Sequence, residues 1–162
     1  MNGCLIAWLH DWMVVWIQKV DKKVSEDISP RRNINRGFRK LEIWKLSIEY
    51  YKAIVEILAR YNLPFKIKAQ IEDSALSISS NIAEGYARRS PKENLRFNEI
   101  ALGSAAENCS QIYALKASGQ ISPAEHETLD TLLYEVENKI IKMNKSILKM
   151  ISEGQKWDSD YQ

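Results

Sequence analysis

Between residues 38 and 152 the apolar positions recur every three or four residues, the spacing that gathers side chains onto one stripe of an α-helix. The first stripe is Leu41, Trp44, Ile48, Tyr51, Val55 and Leu58. Asn62, Leu63 and Pro64 end it, because proline has no amide proton and pushes the residue before it out of helical geometry. A weaker stripe, Ile67, Ile71, Ser74, Ile78 and Ile82, predicts a second helix from Phe65 to Gly85, with the glycine read as its stop. Ser90, Pro91, Lys92 and Glu93 then supply a cap hydroxyl, a proline at the first helical position and a glutamate able to reach back. Ser122, Pro123, Ala124 and Glu125 repeat the device. These starts predict a third helix from Pro91 to about Ser118, closed by Gly119, and a fourth from Pro123 to about Ser152. The fourth repeats its stripe at Leu129, Leu133, Val136, Ile140, Met143, Ile147 and Met150. Lys139, Lys142, Lys145 and Lys149 stand toward its end, where cations complement the helix dipole.

Helices of about 20 to 30 residues joined by short loops predict an all-α fold, an antiparallel up-down-up-down four-helix bundle. Residues 38–152 form that bundle, preceded by residues 1–37 and followed by an acidic tail over 153–162. In the first segment Leu5, Trp8, Leu9, Trp12 and Trp16 fall at helical spacing, which predicts an N-terminal helical extension joined through a polar connector from about Lys19 to Gly37. Its aromatic stripe suits packing on the bundle or a partner better than a membrane surface, since His10, Asp11 and Gln18 make no basic face. Leu5 to Ile17 is too short for a bilayer span of about 20 residues, and no basic residue precedes it as in a secretory signal.

A chain of 162 residues suffices for one domain with a substantial core. Its 23 basic and 21 acidic residues leave a net charge of +2, so a nucleic-acid site would have to be a local patch rather than a global field. Cys4 and Cys109 form neither a disulfide framework nor a metal-ligand cluster, which fits a reducing, cytoplasmic setting.

Catalytic chemistry finds little support. A di-iron bundle needs Glu-x-x-His on two helices, yet the residues three before His10 and His126 are Ala7 and Pro123. No phosphate-binding glycine loop, nucleotide fingerprint or metal spacing occurs, so no catalytic residue, metal, cofactor or small-molecule substrate is assigned. Cys109, in a helix interior, reads as a small buried hydrophobe. Glu99, Glu107, Glu135 and Glu137 read as a solvated face rather than an acid–base pair.

Two clusters remain. Arg88, Arg89, Lys92 and Arg96 gather four cations at the start of the third helix, where guanidinium forks and free backbone donors suit phosphate oxygens. The alternative is a solvated turn whose cations pair weakly with Glu93 and Glu99. Gly103, Ser104, Ala105 and Ala106 form a run small enough for another helix to approach, as an internal contact or a subunit interface.

From Phe38 onward the chain resembles the four-helix-bundle proteins encoded in intervening sequences of bacterial large-subunit ribosomal RNA genes. The resemblance rests on Phe38-Arg39-Lys40-Leu41-Glu42-Ile43-Trp44, on Ser79-Ser80-Asn81-Ile82-Ala83-Glu84-Gly85-Tyr86 with Arg88-Arg89-Ser90, and on Arg96-Phe97 with Ile100-Ala101-Leu102-Gly103-Ser104-Ala105-Ala106-Glu107. The resemblance covers about 115 residues from Phe38 and carries these three motifs in order, and the first 37 lie outside it as a lineage-specific extension or the product of an upstream start codon. The family includes the accessory variability determinant of diversity-generating retroelements, a homopentameric basic barrel that associates with a reverse transcriptase and nucleic acid. By implication, Arg88, Arg89, Lys92 and Arg96 would contact RNA or DNA, and the small-residue run would join subunits of a homo-oligomer. A ribosomal-protein role is not implied, because the strong positive excess of such proteins is missing. The competing expectation is a scaffolding protein with no nucleic-acid role.

Overall fold

The computed structural model describes residues 34–154, and the expected N-terminal helix and most of the acidic tail lie outside them. The described chain is a 3-10 helix, Ile34–Lys40, followed by α1 (Glu42–Leu58), α2 (Phe65–Ala87), α3 (Pro91–Ala117) and α4 (Pro123–Ser152). Successive helices pack on one another and α1 packs on α4, so the four close into the expected bundle. The polar connector and first helix were expected to meet at Gly37 and Phe38. Instead both residues sit inside the 3-10 helix, and α1 starts at Glu42.

The core runs along the bundle through Tyr50, Ile54, Ile71, Ile78, Ile82, Ile112, Leu129, Leu133 and Ile140, each at most 2 % exposed. In α4 the expected stripe is the buried one: Leu129, Leu133, Val136, Ile140 and Ile147 are buried, with Met143 and Met150 half-buried. In α1 the deepest row is Ile43, Ser47, Tyr50, Ile54, Ile57 and Leu58, offset by one residue from most of the predicted stripe. Leu41, Trp44 and Tyr51 instead pack half-buried at the core's edge. A reading by apolarity passes over Ser47 and Tyr50, yet both reach the interior with their hydroxyls satisfied. Ser47 donates to the Trp44 carbonyl at 2.8 Å and Tyr50 donates to Asn108.

Helix ends follow the marked residues with two corrections. At Ser122 the capping box is complete, the Glu125 amide donating to Ser122 Oγ (3.2 Å) and the Ser122 amide to Glu125 Oε2 (3.0 Å). At Ser90 only the forward half forms, from the Glu93 amide at 3.4 Å, while the Glu93 carboxylate lies 3.9 Å from Arg96. Gly119 ends α3 as expected: at φ 70° it lets the Gln120 amide reach the Leu115 carbonyl (2.8 Å) and its own amide the Lys116 carbonyl (3.0 Å). Gly85 does not end α2. It is buried two residues before the helix ends, and a Cβ there would lie 2.8 Å from the Cβ of Phe97. Its role is close approach of α2 to α3.

Candidate nucleic-acid interface

The α2–α3 corner is built from this approach. With hydrogen at Gly85, α2 lies directly against the backbone of Asn94 and the side chain of Phe97, which brings the first turns of α3 up to the last turn of α2. The link between them is Arg88, Arg89 and Ser90, and Arg89 takes a left-handed φ of 54° where glycine is usual, a conformation that costs on the order of 1 kcal/mol. Ser90 then caps α3, leaving the helix's positive end at the surface.

The structure places all four predicted cations at this corner. Arg88 is exposed, hydrogen-bonds Glu84 one turn back and lies 5.4 Å from the centre of the Phe97 ring. Arg89 is half-buried. Lys92 and Arg96, four residues apart, are exposed on the same outer face of α3. Among the described residues Arg96 pairs with Glu93 at 3.9 Å, a surface contact of small energetic value. The corner therefore gathers guanidinium and ammonium groups around the capped start of α3, a set of the chemistry that holds phosphate oxygens.

The small-residue run divides. Ala105 is fully buried and belongs to the bundle's own core, as does Ala101. Gly103 and Ala106 are exposed, and a Cβ at Gly103 would meet nothing within 4 Å. Ser104 is half-buried and shares a 2.9 Å hydrogen bond with Ser77 of α2. Ile100, one turn before Gly103, and Tyr113, about two turns beyond Ala106, are large and exposed on the same helix.

Sequence reasoning missed the polar interior of α3. Its buried face is Asn94, Asn98, Ala101, Ala105, Asn108, Ile112 and Leu115, three asparagines at spacings that fit one stripe. Asn108 accepts from Tyr50 and donates to the Ile71 carbonyl (2.7 Å) and Ser74 Oγ (2.7 Å). Burial pushes the Tyr50 phenol well above its ordinary range, with Cys109, Glu137 and Asp130 adding to the effect. Cys109 is half-buried 4.0 Å from Asp130, and burial followed by that carboxylate raises its thiol above the ordinary range. Of the four glutamates read as a solvated face, Glu99, Glu107 and Glu135 are exposed, whereas burial and then Asp130 raise the half-buried Glu137. Among the described residues no group of three His, Cys, Asp or Glu could hold a metal ion, and no helix is long and apolar enough to cross a membrane.

Fold and corner together define an all-helical bundle with a basic corner. The model of the family described as 23S rRNA-intervening sequence protein matches residues 39–142, and the chain belongs to that family. Among solved structures, a protein of unknown function from the S23 ribosomal protein family of Bacteroides thetaiotaomicron has the same fold, with a TM-score of 0.59 at 24% identity over 64% of this chain and 98% of the other. No curated protein matches. None of the matched descriptions indicates a catalytic family.

Proposed function

We propose that this chain is a non-catalytic, cytoplasmic homo-oligomer that binds nucleic acid through the phosphate backbone at its α2–α3 corner. The observation that carries the reading is the meeting of Arg88, Arg89, Lys92 and Arg96 around the start of α3, three of them exposed. Such a surface holds RNA or DNA without reading sequence, and its affinity falls steeply with salt. The exposed Gly103 and Ala106 are the subunit-contact candidates, with the exposed Ile100 and Tyr113 on the same helix. The resemblance adds a pentameric assembly and a reverse transcriptase as a protein associate.

The test is binding of the purified protein to structured RNA and duplex DNA across a salt series, with particle mass from light scattering in the same buffers. Salt-sensitive binding that Arg88→Ala/Arg89→Ala weakens at least tenfold is expected. Unchanged affinity in that variant removes the corner from the site. A second reading, a scaffold with no nucleic-acid role, draws on Arg88 and Arg96 both pairing with glutamates of their own helices. It gains if a discrete oligomer forms and no salt-sensitive binding is found.

A further inference from the structure

The 3-10 helix that precedes α1 was not anticipated, and its position has a consequence for the basic corner. Gly37 lies against Tyr86, at the end of α2: a Cβ on Gly37 would come within 2.7 Å of Cζ and 2.8 Å of Cε1 of that ring. On its other side Phe38 meets Trp44 of α1 edge-on, ring centres 5.2 Å apart. The segment is thus held between α1 and α2, and Tyr86 stands two and three residues before Arg88 and Arg89. Its outward residues are Arg36, Arg39 and Lys40, all exposed. Arg36 and Arg39 are one 3-10 turn apart, on one face and separated by about 6 Å along the axis.

The neighbouring carboxylates are already engaged elsewhere. Glu84 pairs with Arg88, Glu93 with Arg96, and Glu42 with Lys139 at 2.6 Å. Among the described residues Arg36, Arg39 and Lys40 make no ion pair, so their charge adds to that of the corner uncompensated.

We propose that the 3-10 helix is the second half of the phosphate-binding face: Arg36, Arg39 and Lys40 hold backbone phosphates on the strand that Arg88, Lys92 and Arg96 also contact. This rests on the nucleic-acid reading above and extends it to residues outside the four cations first assigned. The ligand is a continuous nucleic-acid backbone, because two cation groups on separate elements, joined through Tyr86 and Gly37, engage several successive charges rather than one isolated phosphate. An acidic protein surface is the competing occupant.

The experiment measures the slope of log affinity against log salt for a short B-form DNA duplex, where each neutralised phosphate contributes about 0.9. Arg36→Gln/Arg39→Gln/Lys40→Gln is expected to flatten the slope by about 2 to 3. Lys66→Gln/Lys68→Gln/Lys116→Gln removes the same charge at the opposite end of the bundle and is expected to leave the slope unchanged. Wild-type slope and affinity in the first variant, with Arg88→Ala/Arg89→Ala still weakened, overturn this inference and leave the corner in place. Equal flattening in both triple variants overturns it as well, since net charge alone then governs binding. A wild-type protein that ignores the duplex at every salt, but binds polyglutamate in a way the first variant loses, overturns the nucleic-acid reading and this inference with it.

Discussion

The two halves of α3 bury the same residue type and treat it in opposite ways. In the C-terminal half, Asn108 spends both ends of its amide on α1 and α2, through Tyr50, Ser74 and the Ile71 carbonyl. About four turns nearer the N-terminus, Asn94 is only 1% exposed, and neither its Nδ2 nor its Oδ1 has a hydrogen-bond partner among the described residues. Asn98 is intermediate: its Nδ2 donates to Asn144 at 2.8 Å and its Oδ1 is unpaired. The C-terminal half of α3 is tied by the full set of bonds at Asn108, whereas the first turns of the N-terminal half, around Asn94, are held by the close contact at Gly85, with the Asn98–Asn144 bond one turn further on. The loosely tied half is the one that carries Lys92 and Arg96. Surfaces that must adapt to a ligand are drawn from the less stable parts of a fold, and a buried unsatisfied amide lowers local stability by about 1 to 3 kcal/mol.

The comparison breaks most visibly at Asn108. Asn108→Leu strands the Tyr50 hydroxyl, which is fully buried, without an acceptor. A loss of about 2 to 4 kcal/mol in denaturant unfolding is expected. Adding Tyr50→Phe removes the stranded donor, so the double variant should recover part of the loss, and the cycle reads the coupling directly. Simple additivity of the two losses would mean that this half is not tied through that bond.

A smaller effect sharpens the tied half from its far end. Beyond Gly119, the Glu125 carboxylate accepts from the Ser122 hydroxyl (2.6 Å), the Tyr61 hydroxyl and the Ser122 amide (3.0 Å), with Arg60 at 3.2 Å. Those bonds, the Ser122 hydroxyl foremost, hold its acid at about 2 against an ordinary 4.5. Because the folded carboxyl is the stronger acid, its contribution is complete above pH 4.5 and is lost as pH falls toward 2. Glu125→Ala should cost about 1 kcal/mol at neutral pH, and its stability curve should converge on that of the wild type through that window. Parallel curves would show that the ionised carboxylate is not what closes this end.

How far the sequence revealed these features depended on whether they rest on apolar spacing or on a neighbour far away in the chain. Helix bounds at Pro91, Pro123 and Gly119 were legible because cap and stop chemistry is local. The four corner cations were legible as a cluster, being close in sequence. Gly85 was misread because a helix-ending glycine and a packing glycine look alike until Phe97, twelve residues on, is brought against it. Asn98 and Asn108 of α3 went unseen for the same reason: burying such an amide makes sense only once Tyr50, Ser74 or Asn144 is beside it. Arg36, Arg39 and Lys40 sat across the boundary assigned to a connector, and only the contact of Gly37 with Tyr86 places them at the corner.

The smallest expected effect is the most discriminating. Asn94→Leu exchanges a buried amide that makes no bond for an aliphatic side chain of similar size, so the lost desolvation penalty offsets any misfit. Its unfolding free energy should lie within about 1 kcal/mol of the wild type, on the stabilising side, while Asn108→Leu loses several times as much. A gain in stability that also slows exchange of the first α3 amides would show that the corner's looseness comes from this one residue. Binding can then be read against it: if the loose half adapts to its ligand, the stiffened variant should bind the duplex more weakly although every cation is intact. A cost as large as that of Asn108→Leu would mean that Asn94 is fully bonded in solution, and the two halves of α3 would then be equally tied.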